Sequence, residues 1–346
     1  MSDADTDFDP DGPGSVEDGL YGLGIAPEDA AVTVIPVPFE ATASFRRGTR
    51  DGPAAVLEAS TQIDLTDLET GEPWREGIAM LPLPESVIAW DAEAAPDALA
   101  VIEAGGPLTP ALVAATQRVD AISERVNRWV ADRAREVIAR GGIPAVLGGD
   151  HSVPFGAMAA VAERWPGVGV LHVDAHADLR AAYEGFTWSH ASILYNALTR
   201  LPDISRVVQV GVRDVGRGEL DFLAANSERV TTWFDPDIAW GVAGGASWRE
   251  LAEGFIEGLP EHVYVSFDID GLEPALCPHT GTPVPGGLSW QMACVLLRVL
   301  GTSGRRIVGF DLCEVAPGGG EFAESWDANV GARLLYKLAG WALASR

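Results

Sequence analysis

Lysine is almost missing from this chain. Its 24 basic residues are Lys337 and 23 arginines, against 50 Asp and Glu, in 346 residues. The formal net charge is −26. That excludes the basic footprint a nucleic-acid or membrane-surface binder needs. The arginine bias fits a GC-rich coding sequence or a salt-adapted surface kept soluble by its charge, and the two are compatible. Cysteine is also scarce. Cys277, Cys294 and Cys313 cannot all pair within one chain, and none has metal-finger spacing. A reducing, cytoplasmic setting is the expectation. Long uncharged apolar runs are absent, so no segment reads as a membrane span or as the core of a secretory signal. The chain is nonetheless 47% hydrophobic, enough for one large core.

Residues 1–30 are acidic and rich in Gly and Pro, and read as a loosely ordered extension ahead of a single domain, 31–346. Apolar runs predict strands at AVTVIPVPF (31–39), IPAVLG (143–148), GVGVLHVD (167–174), RVVQVGV (206–212), HVYVSFDID (262–270) and RIVGFDLCEV (306–315). DGPAAVLEAS opens a helix at Asp51, its N-cap. Three-to-four spacing predicts a long amphipathic helix over 119–140. Further helices are expected near 153–164, 190–200, 217–225, 247–258, 289–302 and 327–344. The Pro-rich stretch 70–108 reads as a long loop with one short strand. Almost wholly apolar strands between helices imply an α/β fold with a parallel sheet covered on both faces.

Four motifs fall where strands end: GGDHS (148–152), DAHAD (174–178), SFDIDGLEP (266–274) and DLCEVAP (311–317). In open parallel sheets, ligands bind beyond those carboxyl ends. Asp150 could be no more than a helix cap. Helix capping cannot use Asp174, Asp178, Asp268 and Asp270 together, with His151 and His176 among them. Like charges so close need cations. Six such ligands suit two metal ions that share carboxylates and acidify a water for attack on an electrophilic carbon. Nitrogen and oxygen ligands without thiolate favour Mn²⁺ over Zn²⁺, with Ni²⁺ the alternative.

These motifs, with HTGTPVPGG (279–287) and an early GTRDGPAAVLEAS, resemble the ureohydrolase family of arginases and agmatinases over roughly 31–345. The resemblance implies a three-layer α/β/α sandwich around a mainly parallel sheet of about eight strands. It implies two divalent ions and the conversion of a guanidino group to urea and an amine by a metal-bridging hydroxide. It also implies a homo-oligomer, trimeric or hexameric. Carried over by motif, His151, Asp174, Asp178 and Asp268 hold one ion. His176, Asp174, Asp268 and Asp270 hold the other. Asp150 becomes a supporting residue, Glu314 pairs with the substrate guanidinium, and His190 of WSHAS stands near the departing amine, able to return a proton. His172 is expected to face the core as a hydrogen-bonded structural residue.

The loop DLRAAYEGFTWSHAS is agmatinase-like and lacks the Asn- and Ser-containing stretch with which arginases hold an amino acid, so agmatine is the leading substrate. Glu184 could meet a terminal ammonium. Trp188 and Trp326, if both line the pocket, shorten it and favour free guanidine instead. A zinc deacetylase of related fold and a non-catalytic relative are the remaining alternatives; the full ligand set argues against both.

Overall fold

The computed structural model describes residues 8–346. Apolar, β-branched runs form the strands Val32–Val37 (β1), Ile78–Met80 (β2), Ile143–Gly148 (β3), Val168–Val173 (β4), Ile204–Val212 (β5), Val230–Phe234 (β6), His262–Asp268 (β7) and Arg306–Cys313 (β8). Among the described residues these make one sheet in the order β2-β1-β3-β8-β7-β4-β5-β6, with every pairing parallel. Along β1, Val32 and Val34 join one hydrophobic core while Ile35 and Val37 join another on the opposite face.

Helices cover both cores. They are Gly52–Ser60 (α1), Glu85–Glu103 (α2), Pro110–Ala139 (α3), Phe155–Arg164 (α4), Ile193–Arg200 (α5), Arg217–Ala225 (α6), Asp235–Ala243 (α7), Trp248–Glu257 (α8), Trp290–Thr302 (α9) and Trp326–Ala344 (α10). α1, α8, α9 and α10 bury one face of the sheet, and α2 to α5 bury the other. This is the expected three-layer sandwich. Among the described residues no helix is long and apolar enough to cross a membrane. The chain leaves β3 and re-enters the sheet at β4 only after two places that β8 and β7 later fill. The carboxyl ends of β3, β8, β7 and β4 therefore lie side by side at the centre, where such sheets bind ligands.

Several expectations need correction. The stretch 70–108 contains the short strand, β2, but also the 19-residue helix α2. Its buried stripe, Val87, Asp91, Ala94, Ala98 and Val101, has helical spacing that a carboxylate interrupts. Asp91 faces inward because it accepts the Glu40 N–H at 2.9 Å and pairs with Arg50. α3 starts at Pro110, not 119, capped by Thr109 on the Leu112 N–H. Asp51 makes no side-chain cap to α1. β6 and α7 had no strong pattern to reveal them, since β6 is only half-buried and α7 buries Ile238 alone. Residues 1–7 of the extension lie outside the described residues. Leu20 and Tyr21 are not loosely draped. Both are buried, and the Tyr21 hydroxyl donates to the Ala332 carbonyl.

The single lysine is a structural residue. Lys337 Nζ lies 2.7 Å from Asp67 and 2.6 Å from Glu69, with 14% of its side chain exposed. Burial alone would raise the Asp67 pKa, but the ammonium outweighs it and holds the carboxyl low. Lys337→Met is expected to lower stability by about 2 kcal/mol near neutral pH, because it strands two carboxylates. A depressed Asp pKa contributes stability that is complete above about pH 5 and is lost as pH falls through the lowered value. Denaturant titrations should therefore show the difference between variant and wild type shrinking below about pH 4.

Candidate metal centre and substrate pocket

The centre is built by turns that follow β3, β4, β7 and β8. After β3 the backbone runs against Phe39, so closely that a Cβ at Gly149 would fall 1.8 Å from the Phe39 carbonyl oxygen. Only glycine fits, and the turn delivers His151. His151 Nδ1 lies 3.0 Å from Asp174 Oδ2 and 3.3 Å from both Asp178 Oδ2 and Asp268 Oδ2. Its Nε2 meets Ser266 Oγ at 2.9 Å, and Ser266 in turn donates to Asp311 Oδ1. That chain fixes the tautomer. With the Ser266 proton spent on Asp311, a neutral His151 would keep its proton on Nε2, toward Ser266, and leave Nδ1 to a cation held among the three carboxylates.

A second donor set adjoins the first. His176 Nδ1 lies 3.3 Å from Asp174 Oδ1 and 3.2 Å from Asp270 Oδ2. Asp174 thus turns one oxygen to each set. Asp268 turns Oδ2 to the first set, and its Oδ1, like Asp174 Oδ1, also accepts a backbone N–H, that of Asp270 at 2.8 Å. His172 is buried with Gln209 Nε2 at its Nδ1, as a structural histidine would be. Its Nε2 nevertheless lies 3.0 Å from Asp174 Oδ2, a contact the sequence did not suggest.

The electrostatics call for cations. Among the described residues no Arg or Lys forms an ion pair with Asp174, Asp178, Asp268 or Asp270. Burial alone would lower the His151 and His176 pKa values, yet the carboxylates around them hold both well above the histidine range. Burial and the neighbouring Asp270 and Asp174 push Asp268 well up, and burial and Asp174 push Asp178 up. Such a cluster gathers compensating charge, protons or metal ions. A donor set of imidazole and carboxylate fits divalent metal. The nearby Cys313 thiol, beside His151 and Asp311, is pushed well up by burial. Asp178 and Glu314 hold left-handed φ values of 53° and 64°, a strain of about 1–3 kcal/mol each of the kind that concentrates at functional sites.

A cavity of about 240 Å³ opens beside the centre, lined by His176, Asp178 and His190 among others. His190 is held from two sides. Its N–H donates to Thr42 Oγ1, whose hydroxyl donates to the buried Asp150, while Nε2 lies 3.5 Å from Ser44 Oγ. Asp150 therefore supports the site rather than capping α4. Glu314 is not among the residues that line the cavity. It is buried, with Oε1 on the His151 N–H at 2.9 Å and Oε2 free of protein partners beside Gly281.

The three residues assigned to the substrate tail are elsewhere. Trp188 is buried against Phe155 and Arg200. Trp326 is 53% exposed and donates to the Ala275 carbonyl. Glu184 does not line the cavity; Tyr183 beside it does, together with Arg180, Asp214 and Glu219. One further residue escaped the sequence. Arg213 donates to the carbonyls of Gly211, Asp270, Leu272 and Val284, tying the Asp270 turn to the cavity wall. Its side chain runs past Gly287, where a Cβ would meet Nη2 at 2.8 Å, so the glycines of VPGG belong to this arginine.

Comparison with known proteins gives this geometry its setting. The model of the arginase family matches residues 30–340. The chain belongs to the arginase family. An N(1)-aminopropylagmatine ureohydrolase of Thermus thermophilus is 33% identical over 93% of this chain and 94% of its own length. An agmatinase of Chromobacterium violaceum is 32% identical over 84% of this chain and 77% of its own. Among solved structures, agmatine ureohydrolase of Thermoplasma volcanium superposes with a TM-score of 0.71 at 24% identity, covering 93% of each chain, and shares the fold. This arginase-family chain is an enzyme, a ureohydrolase of the agmatinase-like branch. That sets aside the deacetylase reading.

Proposed function

We propose that this ureohydrolase uses two divalent ions to convert a small guanidino compound with a cationic tail, agmatine first, to urea and an amine. The observation that carries the proposal is Asp174, whose two oxygens serve the His151 set and the His176 set. His151, Asp178 and Asp268 complete the first ion's ligands; His176, Asp270 and again Asp268 complete the second's. Bound there, a pair of divalent ions supplies Lewis acidity and a water acidified toward neutral pH. Mn²⁺ is the proposed ion and Ni²⁺ the alternative.

The chain's own residues do the rest. Glu314 Oε2 is the free carboxylate oxygen that orients the guanidinium. His190, steadied by Thr42 and Ser44, returns a proton to the departing nitrogen. His190→Ala is expected to keep its metal and slow turnover by about 10²–10⁴-fold, the span of general acid–base catalysis. Single-turnover kinetics with metal analysis check this, and metal loss would move His190 into a structural role.

The tail reading rests on charge. Glu219 is spent on two backbone N–H groups and on Arg180, 3.4 Å away. Asp214 is exposed on the cavity wall and has no ion pair among the described residues. It is the free carboxylate for an ammonium. Neither tryptophan lines the cavity, so agmatine stays ahead of free guanidine, the alternative. A panel of agmatine, guanidine, a guanidino acid and arginine, with urea detection on Mn²⁺- and Ni²⁺-loaded protein, tests the proposal. Agmatine should lead. Asp214→Asn should raise its KM about tenfold with kcat little changed, the signature of lost uniform binding, while Glu184→Gln should be silent. A guanidino acid in the lead would instead make Arg180 the tail partner and overturn the cationic reading.

A further inference from the structure

The structure contains another cleft that this reaction does not use. Its volume is about 650 Å³, and Arg46, Arg47, His279 and the 316–319 turn line it. In a chain of net charge −26, this lining carries two arginines against one carboxylate. Asp51 is the lining carboxylate, half-exposed, with Arg50 Nε 3.8 Å away.

His279 is held there with unusual care. Its side chain is 53% exposed, whereas that of Asp327 behind it is 1% exposed. Asp327 accepts both the His279 backbone N–H and Nδ1 at 2.9 Å. With Nδ1–H given to Asp327, Nε2 is the nitrogen left over for a ligand, and it donates to an oxyanion when the ring binds it as the imidazolium. Gly318 lies flat beneath the ring, where a Cβ would fall 2.8–2.9 Å from Cγ, Cδ2 and Cε1. A buried carboxylate and a glycine thus fix the orientation of an exposed imidazole.

The arginines bring unspent donors. Arg46 Nη1 donates to the Pro278 carbonyl at 3.0 Å, which keeps its guanidinium on the His279 loop. Arg47 Nε lies 3.2 Å from Glu40, but its Nη1 is buried without a hydrogen-bond partner. A buried donor in that state costs free energy, which a turn of the guanidinium toward an anion in the cleft would recover. Planar guanidinium forks match oxyanions in geometry as well as charge.

We infer that this cleft is a second ligand site, for a compact doubly charged oxyanion held by Arg46, Arg47 and His279. It shares two loops with the substrate pocket. Ser44 and Phe45, next to Arg46, line that pocket, as do Thr282 to Val284 beyond His279. Occupancy of the cleft therefore acts on substrate binding, a link that rests on the pocket reading above.

Calorimetric titration of the full-length, metal-loaded protein with sodium sulfate at constant ionic strength reads the site without any reaction. One sulfate per chain is expected. Arg46→Gln and His279→Gln should each weaken binding about tenfold or more, and Arg249→Gln, on another face, should leave it unchanged. No heat in the wild type, or equal heat in all three variants, overturns the site. A rise in sedimentation coefficient that both cleft variants abolish, without stoichiometric sulfate heat, also overturns it, because the cleft then seats an acidic side chain of a second copy. In a parallel titration, kcat/KM for agmatine should change with the same half-saturation as the heat. Saturable heat with a flat kcat/KM overturns the link to the pocket. No urea release from the metal-loaded protein before any sulfate is added, with the heat intact, overturns the enzymatic reading alone.

Discussion

Asp174→Asn is expected to strip the centre of metal and lower urea release by at least about 10³-fold, equivalent to about 4 kcal/mol. The side chains have the same shape, so the fold should survive. What changes is the charge between the two sets and the character of one atom. Asp174 Oδ2 faces His151 Nδ1 at 3.0 Å, and Oδ1 faces His176 Nδ1 at 3.3 Å while also accepting the His176 N–H at 2.6 Å. An amide turns an N–H donor toward one set and leaves the other with a neutral carbonyl. The site then loses the group shared by both ions, and metal affinity built from deprotonated ligands falls with it. Elemental analysis and urea release on the purified variant check the prediction. Two metals retained with near-normal turnover would show that Asp174 is not the shared ligand.

Glu314→Gln should separate turnover from metal. The amide oxygen can still accept the His151 N–H, as Oε1 does at 2.9 Å, so the turn after β8 keeps its anchor. Gly281 leaves Oε2 room, with a would-be Cβ only 2.9 Å from it. The variant loses the negative charge that orients a guanidinium, and a charge-assisted hydrogen bond is roughly twice as strong as a neutral one. Both ions are expected to stay, and kcat/KM to fall about 10²-fold or more. Metal loss in the variant would instead mean that Glu314 acts through His151.

Much of this centre was legible because buried charge is hard to disguise. Four carboxylates and two imidazoles at the ends of apolar strands admit few readings, and the structure brings all six together around Asp174. What the sequence could not show was support from a distance. Ser266, Asp311 and Thr42 sit far along the chain from the histidines they steady, and their residue types are ordinary. Arg213 looks like any surface arginine until its carbonyl partners are known. Local tails were least legible. Glu184 and Trp188 share a loop with the pocket, but the loop turns Tyr183 inward instead. In the fold, α2 was hidden because Asp91 interrupts its apolar stripe, and a buried carboxylate is read as a loop residue unless its partners, the Glu40 N–H and Arg50, are known.

The central claim is that two metal ions share Asp174 and that activity needs both. The direct measurement is elemental analysis of the wild-type protein across a titration of the metal-free form with Mn²⁺, with urea release from agmatine followed in the same samples. The account predicts saturation at two ions per chain, with activity rising as the second ion binds. Full activity at one ion per chain, or activity that needs no metal, would contradict it.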